Sequence, residues 1–181
     1  VILDGDTVAV PVTASLVGAF PAGARVWVVL VPPSGTYLIG SPIAAVAVAQ
    51  TVGDSFTTTS VTYTTAGTPT PPACGVVFTA PPSGRVQLSF KAQLVNSTVG
   101  QFTIVGFEIL TGPVIGSGTG FVLATDENCI ANQSTVQLQF GETLLVEGLT
   151  PGTVYNSQLG HRVTGGTGTI SRRHLAVVPA P

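Results

Sequence analysis

Apolar and polar residues alternate strictly through residues 84–95, which read Gly-Arg-Val-Gln-Leu-Ser-Phe-Lys-Ala-Gln-Leu-Val. Val86, Leu88, Phe90, Ala92 and Leu94 fall on one face of an extended chain, and Gln87, Ser89, Lys91 and Gln93 on the other. A period of two predicts a strand with one buried and one solvated face, because helical winding would scatter the same apolar residues around a cylinder. A second layer must then cover the five apolar side chains.

The same rhythm recurs along the chain. Residues 1–40 predict short strands at 1–3, 7–12, 25–31 and 37–39, separated by Asp4-Gly5-Asp6, by residues 20–23 and by residues 32–35. Pro11 marks an edge or a bulge. Residues 25–31 are nearly all apolar and call for cover on both faces. These strands make a small barrel segment over 1–43 that is too short to close, and its first strand is expected upstream of Val1 or in another chain. Residues 44–55, rich in alanine and valine, read as a linker. From residue 56 onward, strands are expected at 56–65, 76–80, 86–95, 101–110, 121–124, 136–140, 143–147, 155–163 and 169–178. Gly141-Glu142 reads as a turn, 126–134 as a polar loop and 165–168 as a hairpin. Short strands at this spacing predict an antiparallel β-sandwich or jelly roll over 56–181.

Two segments carry more detail. Residues 101–110 put bulky apolar groups on both faces, so one face should meet the core and the other a neighbouring subunit. Residues 148–155, Gly-Leu-Thr-Pro-Gly-Thr-Val-Tyr, have the form of a corner at which the Tyr155 hydroxyl bonds back to the backbone.

Composition narrows the class. Charged residues are 8% of the chain and hydrophobic residues 44%, with 22 glycines, 14 prolines and no methionine. Average soluble domains carry roughly 25% charge. A net charge of −2 argues against a nucleic-acid surface, which needs clustered lysine and arginine. Only Arg172 and Arg173 are adjacent, and alternation sends them to opposite faces. So weakly charged a surface suits assembly. There is no secretory signal and no apolar run long enough to span a bilayer, so membrane insertion is not expected.

Candidate chemistry is sparse. Cys74 and Cys129 read as two free thiols in loops, and no CxxC or HxxxH spacing predicts a metal site. Asp4 and Asp6 lack the further oxygens that calcium requires and read as a solvated turn. His161 and His174 could meet across the last hairpin, but read as strand histidines on a surface or an interface. Glu108, Glu142 and Glu147 read as turn or wet-face residues rather than a glycosidase pair. The Gly116-Ser-Gly-Thr-Gly120 run lacks the lysine and helix of a phosphate loop. Asn96-Ser-Thr98 and Asn132-Gln-Ser134 match glycosylation acceptors but mean little without a secretory signal. The expectation is no catalytic, cofactor-binding or metal site, hence no enzyme. A carbohydrate-binding sandwich is the alternative from another class. It would need an exposed aromatic platform, and Trp27 lies in an apolar run that reads as core.

Three stretches carry a resemblance: residues 78–88, Phe-Thr-Ala-Pro-Pro-Ser-Gly-Arg-Val-Gln-Leu; residues 148–155; and residues 161–170, His-Arg-Val-Thr-Gly-Gly-Thr-Gly-Thr-Ile. They resemble the C-terminal part of minor tail proteins of tailed actinobacteriophages. Residues 3–8 and Arg25-Val-Trp-Val28 are similar to the second half of the OB-like barrel that precedes it. The resemblance implies an all-β chain: a partial OB-like barrel, then an antiparallel β-sandwich. It implies a non-enzymatic virion structural protein, a homo-oligomer with a trimer favoured, assembled with other virion proteins in the bacterial cytoplasm. It leaves room for contact with a host-surface glycan or protein. Head decoration and fibre proteins of the same phages are alternative placements.

Overall fold

A computed structural model of the protein describes residues 27–31 and 36–40 by their backbone and residues 47–180 in full. The chain divides into two compact units, Val1–Ala44 and Ala45–Pro181. In the first, β1 (Trp27–Val31) and β2 (Thr36–Gly40) form an antiparallel pair, with Trp27 opposite Gly40 and Val31 opposite Thr36. The strands expected at 1–3 and 7–12, the Asp4-Gly5-Asp6 turn and the closure of a barrel lie outside the described residues.

The second unit is all-β. Its strands are β3 (Val48–Thr58), β4 (Gly75–Thr79), β5 (Val86–Asn96), β6 (Thr103–Thr111), β7 (Thr119–Val122), β8 (Cys129–Asn132), β9 (Leu138–Val146), β10 (Val154–Val163) and β11 (Gly168–Pro179). One sheet runs β3-β11-β5-β9, and the other runs β4-β10-β6-β7 with β8 also on β6. Every pairing is antiparallel. The two sheets form a sandwich, as the period-two pattern requires.

β5 behaves as its alternation dictates. Val86, Leu88, Phe90, Ala92 and Leu94 are all buried, while Gln87 and Lys91 are exposed. They meet Val105, Phe107 and Ile109 of β6 and Leu159 of β10 in a single core. The Phe90 and Phe107 rings sit 5.5 Å apart and tilted by 60°, within the centroid range of favourable aromatic pairs.

The corner is present. The Tyr155 hydroxyl accepts the Thr150 backbone N–H at 3.1 Å. Its ring stacks on Phe78 and takes the edge of Phe121.

Five local expectations change. Residues 48–55, read as linker, belong to an eleven-residue strand, β3, which pairs with β11. The strand expected at 56–65 ends at Thr58. Residues 129–132, read as loop, form β8 on the flank of β6. Gly141-Glu142 is no turn: β9 runs straight through it, and Gly141 lies opposite Lys91. A Cβ on Gly141 would come within 3.1 Å of Lys91 Cβ, so glycine marks a close approach of strands there.

The fifth change concerns β10 and β11. They are not a hairpin, because residues 164–167 cross from one sheet to the other. β11 also carries a bulge at 171–173, with Arg172 at φ 49°. One extra residue shifts the side-chain parity. Ile170 faces the core before the bulge, and Arg173, Leu175 and Val177 are the buried residues after it.

Candidate functional site

The acids and histidines do not converge. His161 lies in the β10 sheet and His174 in the β11 sheet, so the two histidines are not cross-strand neighbours. His161 is buried, donates from Nε2 to the Ala66 carbonyl at 2.8 Å, and packs against Phe56 with ring centroids 4.7 Å apart. Burial first, and then the Arg173 cation, hold its pKa below the usual imidazole range against the opposing pull of the Ala66 bond. His174 bonds Thr51 Oγ1 at 2.8 Å through Nδ1. Glu108 accepts from Gln158 Nε2 at 2.5 Å, Glu147 pairs with Arg85, and Glu142 stands alone among the charged residues of β9. Among the described residues no group of three or more His, Cys, Asp or Glu could hold a metal ion.

Both thiols are free. Burial pushes Cys74 up to about 11, so neither its access nor its ionisation suits a nucleophile. Cys129 is half-buried, is also raised by burial, and donates from Sγ to the Asp126 carbonyl. A shallow cleft of about 440 Å³ opens over Thr57–Ser60, Thr64 and Ala66–Thr68, and no titratable side chain lines it.

The motifs that resembled functional signals are architectural. Asn96 and Asn132 are buried. Asn96 Nδ2 donates to Thr103 Oγ1 and the Gly165 carbonyl, and its Oδ1 accepts the Thr98 N–H. Asn132 repeats the device, with Nδ2 to the Leu94 and Val136 carbonyls and Oδ1 from the Ser134 N–H. Each closes an Asx turn and ties a loop to a strand end. The two turns are joined, since the Asn96 N–H donates to the Ser134 carbonyl. The glycine-rich loop is held by Asn156. Its Nδ2 serves the Gly112 and Ser117 carbonyls, and its Oδ1 takes the Gly116 N–H that a phosphate would need.

The outer face of β6 is covered by the chain itself, not by a neighbouring subunit. Gly106 and Gly160 are opposite one another on β6 and β10, and the Tyr63 ring lies over the gap they leave. The Tyr63 hydroxyl donates toward the Thr125 carbonyl at 2.9 Å and lies 3.2 Å from Asp126 Oδ1. Arg162 closes the group, pairing with Asp126 and stacking over the Tyr63 ring at 5.7 Å. Burial, reinforced by the nearby Cys129 and Asp126, raises the Tyr63 pKa, and Arg162 holds Asp126 below the usual carboxylate range.

One surface left open is the β9 side of the sandwich. β9 ends its sheet, with β5 on one side and no strand on the other among the described residues. Leu138 is 45% exposed and Leu145 56%, while Val136 just before the strand reaches 61%. Phe140 and Leu144 pack on the core but are only partly buried. The strand holds one charge, Glu142, and neither lysine nor proline. Natural edge strands are usually blunted by charge, proline or a bulge against pairing with another chain. This one is not. Sequence reasoning missed it because the Gly141-Glu142 pair had divided it in two.

No protein-family description and no curated protein matches the chain. Among solved structures, a subviral particle of infectious bursal disease virus VP2 aligns at TM-score 0.47 and 12% identity, over 86% of this chain and 38% of that one. The Gx strain structure of the same virus aligns at 0.46 and 13% identity, over 91% and 42%. The chain therefore spans about two fifths of the length of those proteins.

Proposed function

We propose that the chain is a non-enzymatic structural protein of a virion that associates with copies of itself. The observation that carries this reading is the open β9 edge, with Leu138 and Leu145 exposed on it and Val136 exposed just before it. An apolar strand edge left in water by a chain with so few charges is a surface made to be covered. The buried histidine, the buried thiol and the dispersed carboxylates supply no competing reaction centre.

The sequence resemblance gives the finer placement: a minor tail or tail-tip component, with the sandwich turned toward the host surface. A head decoration or fibre protein would use the same edge. Light scattering on the full chain tests the association. A stable oligomer at micromolar concentration is expected, and a clean monomer overturns the reading. Immunogold labelling of virions then separates tail from head.

The carbohydrate-binding alternative has less support. Phe121 is the large aromatic exposed among the described side chains, and its ring is engaged with Tyr155. It forms no flat platform for a sugar ring.

A further inference from the structure

Among the described residues, none of 57–73 belongs to the hydrophobic core, although Phe56 and Cys74 on either side do. None of residues 59–67 is buried. A short set of hydrogen bonds holds this stretch instead. At its neck, Thr57 and Thr68 exchange both backbone bonds at 2.9 Å. Past the neck the chain lies along β10, where the pairing of β10 with β4 has ended. There Thr64 exchanges two backbone bonds with His161, at 3.0 and 2.8 Å, and the Ser60 carbonyl accepts the Val163 N–H at 2.8 Å. The Ala66 carbonyl accepts from His161 Nε2. Tyr63 reaches across Gly106 and Gly160 to the Thr125 carbonyl and Asp126. A loop with joined ends and a middle held by polar contacts belongs to the least stable part of a fold.

We propose that residues 59–67 are a strap that opens as one unit about the Thr57–Thr68 neck while the sandwich stays folded, and that acid drives it open through the His161 ring beneath it. Opening lifts Tyr63 away from Gly106 and Gly160 and so bares β6 and β10 where they carry no side chain. It also dismantles the cleft that Thr57–Ser60, Thr64 and Ala66–Thr68 line.

The closed strap seals the imidazole among groups that disfavour its charge. Phe56 of β3 packs on one side, and Val105 of β6 is opposite His161 in the sheet. Arg173 of β11 lies over the same Phe56 ring, and Asp54 of β3 is engaged by that arginine. The Cys74 thiol, its pKa pushed up to about 11, brings no charge at neutral pH. Arg162, next along β10, is paired with Asp126. Burial first, opposed by the Ala66 bond and aided by Arg173, keeps the imidazole pKa low while the strap is closed. Once the strap lifts, the ring reaches water and its ordinary pKa of about 6.5. The closed form is therefore fully favoured above that pH and loses ground as pH falls through the lower closed-state value. Tyr63 acts in the same sense, because its hydroxyl adds to the larger effect of Arg162 in holding Asp126 ionised.

Amide exchange resolved residue by residue in the full chain tests the strap. The Leu159 N–H, bonded to the Cys74 carbonyl outside the strap, is an internal control on the same side of β10. At neutral pH the N–H groups of Thr64, His161 and Val163 should share one opening constant, about tenfold or more above that of Leu159 after correction for intrinsic rates. That constant should rise as pH falls to about 5, and His161→Gln should flatten the rise. Gly67→Ala, whose new Cβ would run into the Phe56 ring, should raise it about tenfold at both pH values. Three amides protected as strongly as Leu159, or opening independently of one another, overturn the strap. Opening in the parent that ignores pH overturns the acid trigger. Loss of protection in β5 at the same acid pH makes the opening global and overturns both.

Discussion

Arg173 donates to both carboxylate oxygens of Asp54, at 3.0 and 2.9 Å, from a side chain only 3% exposed. The same nitrogen reaches the Pro72 carbonyl at 2.8 Å, and the guanidinium carbon lies 4.8 Å over the Phe56 ring. A β-sandwich with few charges has thus buried one of them. The β11 bulge is what turns Arg173 inward, and the pair fastens β3, β11 and the segment leading to β4 together.

Removing one partner should therefore cost more than removing both. Asp54→Ala leaves a buried cation without its counter-charge, at a cost of about 3 kcal/mol, the low end for such pairs because Asp54 keeps 20% of its side chain in water. Arg173→Met combined with Asp54→Leu should recover most of that loss, since apolar groups of similar volume can replace a buried ion pair. Urea unfolding of the two variants reads the difference.

Tyr63 and its glycine pair give a sharper steric contrast. A methyl group on Gly106 would come within 3.1 Å of the Tyr63 ring and of the Asn128 carbonyl. On Gly160 the nearest atoms would be 3.7 Å away, ordinary contact. Gly106→Ala should cost about 1–3 kcal/mol through overpacking, and Gly160→Ala well under that. Tyr63→Phe, which keeps the ring and loses the hydroxyl contacts, should cost about 1 kcal/mol. Thermal unfolding of the three variants ranks them.

Acid should loosen the segment between β3 and β4 through His161. Its pKa is depressed in the folded protein, so the native state binds fewer protons than the unfolded chain. The stabilisation is fully present above the ordinary histidine pKa of about 6.5 and is lost as pH falls through the lower folded value. Protonation would place a second cation beside Phe56, across from Arg173 and its partner Asp54. His174 is lowered too, by burial first and by Lys91 second, so the wild-type slope is a sum. The part due to His161 is the slope that vanishes in His161→Gln, measured by chemical unfolding at a series of pH values. A variant whose acid slope matches the parent's removes His161 from the account.

Arg172 holds a left-handed backbone, φ 49°, at the bulge of β11. Side chains with a Cβ pay roughly 1–2 kcal/mol for that region, and glycine does not. The residue is exposed, so Arg172→Gly should stabilise by about 0.5–1 kcal/mol after glycine's greater unfolded-state entropy is counted. Arg172→Val should destabilise by a comparable amount or more. A rise in the urea midpoint for the first and a fall for the second would check both signs.

Much of this architecture was legible in the sequence, and the failures have local causes. The strict alternation of 86–94 marked the central strand correctly, because both its neighbours and its opposing layer conform to period two. Tyr155 was legible because its corner depends on five contiguous residues. β9 was divided because glycine beside glutamate has turn character, and nothing local tells that Lys91 of β5 will pack closely on that glycine. The β10–β11 crossing reads as a hairpin in the sequence because Gly165-Gly166-Thr167-Gly168 suits either connection. What decides between them is pairing with strands distant in sequence: β10 lies between β4 and β6, and β11 between β3 and β5. The second face of β6 was assigned to another subunit because its cover, Tyr63, lies some forty residues earlier in the chain. Asn96 and Asn132 carried a modification signal in sequence, and only their burial shows that they hold turns.

β11 lies between β3 and β5, although it is the last of the described strands to leave the ribosome. β3 and β5 have no pairing with each other to fall back on, so their sheet cannot close until β11 has been made. Until β11 slots between them, the nascent protein carries two separated halves of a layer, one of them ending in β9. Long-range closure of this kind is slow and exposes strand edges while it waits. Anyone producing it should expect a yield that falls with expression temperature and rises with chaperone supply.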